Sequence, residues 1–321
     1  MADTGRSVLV LTNAQDVTAD LVLRVLADRA VPAARLDPGL DLHTGASLTA
    51  SYGLGGRRGI LRTPSRSVDL ATVRSVWVRR PTRYEGPPEL DGQDAGFAAA
   101  QSFWGAGGIL ASLADAHYVN HPWANRAAEY KPAQLAAAGR HGFRVPETLI
   151  TNDLQTARDF VRGQIGGAVY KPLWSTAYTV QGRPHQVWVR AVGAAELTVG
   201  VELCPHLFQA RVGKAFDARL TAVGDRLFAT RIDSPDLDWR RRQDRMVCTP
   251  VAPPGAVREA VAAYLAEFGL VYGAFDFAVT YTGEWHFLEC NPNGQWAWQP
   301  PETTTAIARA IADLLERGRD V

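Results

Sequence analysis

Hydrophobic and polar positions in the N-terminal part of the chain predict an α/β layer. The apolar, β-branched run SVLVLT (7–12) predicts a buried strand, helical spacing over 20–29 predicts a helix, and 34–37 predicts a second strand. Residues 75–84 predict another strand, and small and apolar residues recur at helical spacing over 94–116. The order strand, helix, strand is typical of a layered α/β unit. No GxGxxG follows the first strand, so the dinucleotide-binding fingerprint is absent.

Two further units follow, in which helices and strands are mixed. The polar, turn-rich stretch from Pro172 to Arg190 predicts a mobile loop, and either Asn152 or Asp153 is placed to cap a helix. The predicted elements are strand 148–151, helix 154–163, strand 168–173, a hairpin within 206–233 that turns at Gly224-Asp225, helix 256–268 and a final helix over 303–317. We expect domain boundaries that give units 1–118, 119–212 and 213–321.

One predicted hairpin, within VYGAFDFAVTYTGEWHFLECNPNGQWAWQPP (271–301), carries an acid in the middle of each apolar arm. If Thr282-Gly283 is its two-residue turn, Asp276 lies directly opposite Glu289, with Cβ atoms roughly 4.5–5.5 Å apart. Asn291 shares their face because strand side chains alternate. The opposite face would then be core, and it carries Phe275, Phe277, Val279 and Leu288.

Two neighbouring carboxylates repel each other, so a cation or a shared proton is expected between them. Asp276, Glu289 and the amide oxygen of Asn291 are hard oxygen ligands that suit Mg²⁺ and suit zinc poorly. Two other interpretations remain open. The acids could form an exposed ladder paired with arginine, or a general acid–base pair at the separation of about 5–5.5 Å found in retaining glycosidases.

Composition narrows the class of protein. The chain has 321 residues, 46% hydrophobic content and a formal net charge of +1, so it lacks the overall positive charge of a nucleic-acid-binding protein. No apolar run approaches the roughly 18 residues of a membrane span, and the N-terminus does not resemble a secretory signal. Three cysteines without CxxC spacing argue against a disulfide framework or a zinc site. We therefore expect a soluble cytoplasmic protein with no membrane or nucleic-acid partner.

Lysine is rare in this chain. Of the 34 basic residues only Lys131, Lys171 and Lys214 are lysines, and the other 31 are arginines. A compact ammonium can serve where a guanidinium cannot, for example at a phosphate oxygen. The alternative is that three leftover lysines lie on the surface.

Several motifs resemble the ATP-grasp superfamily, and their spelling resembles the graspetide synthetases, the microviridin-type ligases. The motifs are VWVRRPT, VNHP, KPAQL, GFRVPETLITND, VYKPL and FLECNPNGQWAW, and the resemblance runs from about residue 7 to residue 317. The resemblance implies an N-terminal Rossmann-like pre-ATP-grasp domain of α/β class, followed by two α+β subdomains that clasp ATP.

The resemblance also implies roles for individual residues. Lys131 and Lys171 would hold the α- and β-phosphates of ATP, and Lys214 would have a nucleotide role. Arg219 would approach the γ-phosphate and Arg240 an acyl phosphate, while Asp276, Glu289 and Asn291 would bind Mg²⁺. The adenine-binding hinge would be Gln209, Ala210, Arg211 and Val212, with Ala210 where related hinges often carry Glu. The lid after Lys171, PLWSTAYT, lacks the glycines common in other ATP-grasp enzymes.

The implied activity is ATP-dependent macrocyclisation of a ribosomally made precursor peptide that has a leader and an acidic core. Side-chain carboxylates would be activated as acyl phosphates and joined to Thr or Ser hydroxyls or to Lys amines. Arg79 and Arg80, at a strand exit, could hold the acidic core or form a solvated strand end. Trp296 and Trp298 could line the site or pack in the core. The resemblance also implies a homodimer.

Three other activities remain open on the sequence alone. The same nucleotide site would serve a small-molecule carboxylate–amine ligase of the glutathione-synthetase type. A phosphotransferase would stop at a phosphorylated product, and a peptide-binding pseudoenzyme would need a broken ATP site.

Overall fold

The computed structural model describes residues 6–54, 56–174 and 178–319, and begins with an α/β layer. Strands β1, β2, β6 and β7 form a parallel sheet in the order β2-β1-β6-β7, which confirms the predicted Rossmann-like layer. Helix α1 packs on this sheet because its buried positions Ala19, Val22 and Leu26 repeat at helical spacing. The strands are β1 (Ser7–Thr12), β2 (Ala33–Leu36), β3 (Ser47–Gly53), β4 (Gly56–Thr63), β5 (Arg66–Asp69), β6 (Val73–Arg80) and β7 (His117–Val119), and the helix is α1 (Val17–Asp28).

The helix predicted over 94–116 is interrupted in the structure. It consists of α2 (Gly92–Ser102), a π-helical turn (Phe103–Gly107) and α3 (Gly108–Ala111), and it ends before β7. The break falls in the sequence FWGAGG, where three glycines weaken regular α-helix. Strands β3, β4 and β5 form a separate antiparallel sheet.

The central unit is a four-stranded antiparallel sheet in the order β12-β9-β13-β8. The side chain of Asp153 accepts a hydrogen bond from the Thr156 N–H, which settles the capping residue of α6. A small hairpin, β10–β11, lies between β9 and β12, and residues 175–177 of the predicted lid lie outside the described residues. The elements are α4 (Pro122–Ala128), α5 (Lys131–Arg140), β8 (Thr148–Thr151), α6 (Leu154–Gly163), β9 (Ala168–Lys171), β10 (Tyr178–Val180), β11 (Arg183–His185), β12 (Arg190–Val192) and β13 (His206–Ala210).

The C-terminal unit is a five-stranded antiparallel sheet in the order β16-β15-β14-β17-β18. The turn at Gly224-Asp225 is confirmed, because Val223 pairs with Arg226, and in the same register Arg219 lies opposite Thr230. One face of the sheet packs against α4, α5 and α7, while the last helix, α8, packs beside α1 on the N-terminal layer. The elements are β14 (Lys214–Val223), β15 (Arg226–Asp233), a 3₁₀ segment (Trp239–Arg245), β16 (Val247–Pro250), α7 (Gly255–Phe268), β17 (Tyr272–Thr280), β18 (Trp285–Asn291) and α8 (Pro301–Arg317).

The β17–β18 hairpin has the predicted register at its acids but not at its turn. Asp276 pairs with Glu289 and Ala274 with Asn291, whereas Ala278 pairs with His286 because the register shifts by one residue between these points. The predicted two-residue turn at Thr282-Gly283 is wrong. The Gly283 N–H donates to Thr280 O, and Gly283 has φ +82°, which is the left-handed residue of a longer loop.

A β-bulge at Leu288 shifts the pairing back by one residue, so that Asp276 lies opposite Glu289. Phe287 therefore enters the core with Phe275, Phe277 and Val279. Leu288 was expected in that core and instead lines a cavity on the other face, so this part of the prediction is wrong. The bulge places two consecutive residues, Leu288 and Glu289, on the same side of the sheet.

No helix among the residues described here is long and apolar enough to cross a membrane.

Candidate active site

Two cavities meet on the outer face of β14, β17 and β18. The larger, about 860 Å³, is walled by Arg80 from the N-terminal layer, Lys131 and Lys171 from the central unit, and Arg219 and Glu289 from the C-terminal sheet. The smaller, about 70 Å³, lies against the predicted hinge and is also lined by Lys171 and Glu289. All three units therefore contribute charged side chains to one cleft.

The carboxylates of Asp276 and Glu289 lie at the centre of the cleft, and cations surround them. Arg240 Nη2 donates to Glu289 Oε1 at 2.6 Å and also donates to Asp276 Oδ2. Lys131 Nζ donates to Glu289 Oε2 at 2.6 Å. Arg219 Nε lies 3.1 Å from Asp276 Oδ1, but this contact lacks hydrogen-bond geometry, and Oδ1 is buried without a hydrogen-bond partner. The expected cation between the acids is present as Arg240.

The two acids have different protonation equilibria. Burial acts to raise the pKa of Glu289, but Lys131, Arg240 and Lys171 outweigh it and hold that pKa well below its usual range. Burial raises the pKa of Asp276, against the opposing charges of Arg219 and Arg240. Glu289 is therefore firmly ionised at neutral pH.

Lys131 and Lys171 approach the acids from the central unit. Lys131 is the first residue of α5, and Lys171 ends β9, where it is 7% exposed. Lys171 Nζ lies 3.5 Å from Gln209 Oε1 and 3.4 Å from Leu288 O. Burial lowers the pKa of Lys171 to about 8, with the charges of Lys131 and Arg240 in the same direction. Lysines whose ammonium groups point into a shared cavity are suited to phosphate.

Arg219 packs against two neighbouring indole rings. Its guanidinium carbon lies 5.5 Å from the ring centroid of Trp239 and 5.7 Å from that of Trp298, within the range of cation–π attraction. Gly294 is needed here, because a Cβ on that residue would overlap Ala274 Cβ and lie 3.1 Å from Arg219 Nη1. Trp296 is fully buried in the core. Of the two roles left open by the sequence, Trp296 therefore packs in the core and Trp298 lines the cleft.

The hinge residues Gln209, Ala210, Arg211 and Val212 all line the smaller cavity, together with Lys214. Gln209 is buried, and its amide donates to Thr148 Oγ1 while its oxygen faces Lys171. The Ala210 and Arg211 N–H groups already donate to Glu147 O and Gly167 O. A purine would therefore have to use other backbone groups of this segment.

Lys214 is engaged within the protein. Its Nζ donates to Asp217 Oδ2 at 2.5 Å and to Leu237 O at 2.8 Å. Burial raises the pKa of Asp217 to about 6, although Lys214 opposes the shift. The pair connects the start of β14 to the loop that leads to Trp239 and Arg240.

The two arginines at the end of β6 have different surroundings. Arg80 is exposed and lines the larger cavity. Arg79 is 3% exposed, pairs with Asp16 at 3.5 Å and donates to Asn293 O beneath the loop that follows β18. Arg79 is thus placed behind the cleft wall rather than among the residues that line it.

The predicted metal ligands, Asp276, Glu289 and Asn291, are chemically suited to Mg²⁺. No three His, Cys, Asp or Glu side chains cluster as a metal site within the described parts of the chain, so the predicted site needs Asn291 as its third ligand. Asn291 Nδ2 lies 3.4 Å from Glu289 Oε1, and the buried, unbonded Asp276 Oδ1 is a free oxygen ligand. Oxygen atoms of this kind suit Mg²⁺, provided that Arg240 leaves the carboxylates.

Three contributors to the site were not assigned from the sequence: Trp239, Asp217 and Gly294. Asp217 could have been found, because it lies two residues before Arg219 and strand alternation puts both on one face. Trp239 and Gly294 lie in irregular segments, so no periodic signal indicates where their atoms lie.

Known proteins resemble this chain in sequence at its N-terminus and in fold over nearly its whole length. Residues 7–126 match the family model described as the MvdD pre-ATP grasp domain. No curated protein matches the chain by sequence.

Three solved structures share the fold over almost the whole chain. The first is a RiPP-associated ATP-grasp ligase of Chryseobacterium gregarium, in complex with ADP and a leader and core peptide. It is 26% identical, with a TM-score of 0.87, and the match covers 98% of this chain and 99% of that one.

The other two are macrocyclases from Microcystis aeruginosa. MdnC, bound with precursor peptide MdnA, is 27% identical with a TM-score of 0.85, over 96% of this chain and 99% of that one. MdnB is 28% identical with a TM-score of 0.82, over 97% and 99%.

The fold and the cleft define an ATP-grasp ligase. The N-terminal match and the three structures confirm the resemblance to the graspetide synthetases that the motifs indicated.

Proposed function

We propose that this chain is an ADP-forming macrocyclase of a ribosomally made precursor peptide, and that it joins side-chain carboxylates to hydroxyls or amines of the same peptide. One observation carries the proposal. Lys131, Lys171, Arg219 and Arg240 converge with Glu289 on one wall of a cleft of about 860 Å³, and Asp276 lies opposite Glu289 in the adjoining cavity. Such a cluster suits a polyphosphate and a negatively charged transition state.

In this proposal ATP spans both cavities. Adenine lies in the smaller cavity against Gln209, Ala210, Arg211 and Val212, with Lys214 beside them. Lys131 and Lys171 hold the phosphates where the cavities meet. These lysines and the hinge residues line the same connected space, which is what supports the assignment.

The reaction then has two steps. An oxygen of a substrate carboxylate attacks the γ-phosphorus of ATP, the bond from that phosphorus to the bridging oxygen breaks, and ADP leaves with its electron pair. A hydroxyl or amine of the substrate attacks the acyl carbon, loses its proton and displaces inorganic phosphate. Arg219 and Arg240 stabilise the negative charge that develops at the phosphoryl group in both steps.

Asp276, Glu289 and Asn291 would hold Mg²⁺, which, when bound, supplies positive charge to the phosphate oxygens. Glu289 suits this role because its pKa is held well below the usual range, so that it is an anion at neutral pH. Arg219, which packs against Trp239 and Trp298, lies 3.1 Å from Asp276 and would hold that carboxylate in place.

The substrate proposal rests on charge and on the relatives. Exposed Arg80 stands on the N-terminal rim of the cleft, where it can attract an acidic core peptide. The Chryseobacterium ligase was solved with a leader and core peptide, and MdnC with a precursor peptide. We extend that substrate class to this chain.

A cytoplasmic location and a homodimer stay predictions. Light scattering of the purified protein tests the homodimer.

The experiment is an intact-mass measurement. The purified protein is incubated with Mg²⁺, ATP and a candidate precursor encoded beside its gene. ATP-dependent loss of whole water masses from the peptide is expected, and fragmentation then locates each ring. An unchanged peptide mass with every neighbouring candidate would count against the macrocyclase.

Two other outcomes would identify the rival activities. ADP that accumulates only when free amino acids or short peptides are supplied, with a condensed product, would indicate the small-molecule ligase. A peptide that gains phosphate and loses no water would indicate the phosphotransferase.

A further inference from the structure

Arg240 occupies the space in which the divalent cation of the proposed reaction would lie. One nitrogen, Nη2, donates to Asp276 Oδ2 and to Glu289 Oε1, so a single guanidinium edge bridges the two acids. A divalent cation bound by the same oxygens would compete with this edge for their lone pairs.

The backbone under Arg240 is fixed, whereas its side chain is partly exposed to solvent. Asp238 Oδ1 accepts the Arg240 N–H at 3.2 Å, and Lys214 Nζ holds Leu237 O at 2.8 Å. On the outer side Arg242 forms a bidentate pair with Asp236, at 2.7 and 2.5 Å. The Arg240 side chain itself is 28% exposed, so solvent reaches one side of it.

Arg240 also stands between the two cavities. It lines the large cleft and the small hinge cavity, as do Lys171 and Glu289. A nucleotide with its base at the hinge and its phosphates in the cleft has to pass the Arg240–Glu289 contact. The same movement would open that path and release the carboxylate oxygens.

The charge of the side chains around the two acids determines whether the metal or the nucleotide binds first. Around three carboxylates, Asp276, Glu289 and Asp238, the structure places four cations, so the cluster is still positive. The cations are Lys131, Lys171, Arg219 and Arg240. A free divalent cation is repelled by such a cluster. A polyphosphate is attracted to it and offers Arg240 an alternative anion.

We propose that Arg240 substitutes for the divalent cation in the nucleotide-free protein, and that it leaves Asp276 and Glu289 only when phosphates arrive. The metal would then enter with the nucleotide and not before it. This inference rests on the proposed function, because it assumes that the two acids are the metal ligands.

The test measures binding of Mn²⁺, a spectroscopic substitute for Mg²⁺, by electron paramagnetic resonance without peptide or turnover. Without nucleotide, Arg240→Gln should bind Mn²⁺ at least about tenfold more tightly than the wild type, because one positive charge beside the acids has been removed. Arg240→Lys keeps the charge and should stay weak. The double variant Arg240→Gln/Glu289→Gln should lose the gain. Arg241→Gln lies on the same segment and should match the wild type.

A second measurement needs no variant. Adding a non-hydrolysable ATP analogue to the wild type should create a bound Mn²⁺ signal distinct from that of the analogue with Mn²⁺ alone. Wild-type protein that binds Mn²⁺ without nucleotide as tightly as Arg240→Gln would overturn the proposal, as would an Arg240→Gln variant with no gain. Since neither measurement uses a precursor, failure of the macrocyclase assay is a separate result.

Discussion

At the residue scale, the chemistry depends on the ion pairs formed by two acids. Glu289 touches Lys131 and Arg240, and Asp276 touches Arg219 and Arg240. Removing one buried partner leaves the other charges uncompensated, so single substitutions here should have large effects.

Glu289→Gln should lower ATP-dependent turnover by at least about 100-fold, because an anionic ligand for the metal becomes neutral. Circular dichroism should show an intact fold. The matched control is Glu284→Gln, which removes a carboxylate from the same hairpin where it pairs with Arg144 at the surface. Wild-type turnover in Glu289→Gln would refute the metal assignment.

Lys171 gives a pH dependence with a definite sign. Its pKa of about 8 in the folded protein lies below the ordinary value of 10.5 because the side chain is buried. The ammonium is present below pH 8 and is lost as the pH rises through 8, so phosphate binding should weaken in that direction. The dissociation constant of an ATP analogue should be roughly tenfold higher at pH 9 than at pH 7.

The control for this titration is Lys171→Arg, whose guanidinium stays charged over the same range. Its affinity, whatever its value, should vary little between pH 7 and pH 9. An equal pH dependence in this variant would assign the effect to another group.

The same pKa shift has a consequence for stability. Because the pKa of Lys171 is lower in the folded protein, the unfolded chain binds more protons between pH 8 and 10.5. This residue's contribution to the free energy of unfolding should therefore rise across that window as the pH increases. Comparing urea midpoints of wild type and Lys171→Met at pH 7.5 and 9.5 measures it, with a smaller rise expected in the variant.

At the element scale, the two-residue turn assumed for the β17–β18 hairpin predicted the correct pairing of Asp276 with Glu289. That assumption did not include the two shifts in register that produce this pairing in the structure. The longer loop shifts the pairing by one residue, and the bulge at Leu288 shifts it back before Glu289. Because strand side chains alternate with a period of two, a single uncorrected shift would have put the acid on the core face. Phe287 faces the core and Glu289, two residues later, faces the cleft, which requires the bulge between them.

The loop after β18 is the second element that shapes the site. Gly294→Ala should destabilise the protein by about 1–3 kcal/mol, because the added methyl overlaps Ala274 and crowds Arg219. Turnover should fall as well, since Arg219 has to move. Gly255→Ala is the control, as its added methyl meets nothing within 4 Å. Thermal melts and turnover assays of the two variants test this prediction. Equal melting temperatures would show that the methyl group added at Gly294 does not overlap its neighbours.

At the scale of the whole molecule, the N-terminal layer supports the cleft from behind. Arg79 links β6 to Asn293, 214 residues further along the chain, and Thr18 Oγ1 donates to Gln295 Oε1 at 2.5 Å. The loop that carries Gly294 is therefore held by a different layer from the strand that precedes it.

The neighbouring arginines should separate stability from substrate binding. Arg79→Met should lower the free energy of unfolding by about 3–5 kcal/mol, because it leaves Asp16 buried without its partner. Arg80→Gln should leave stability within about 0.5 kcal/mol and raise the KM for an acidic peptide by about tenfold. Denaturant unfolding and steady-state kinetics report the two effects. An Arg79→Met variant with normal stability and a raised KM would instead support direct substrate contact.

The sequence by itself determined the layer order, most strands and helices, and the pairing of Asp276 with Glu289, because these follow from periodicity over a few residues. Motif spelling added the class of ligase and the residues expected to act. Only the tertiary structure decided that Arg240 bridges the two acids, that Arg219 packs against Trp239 and Trp298, and that Arg79 lies behind the cleft. These contacts join segments tens to hundreds of residues apart through irregular loops, where no local period fixes the position of a side chain.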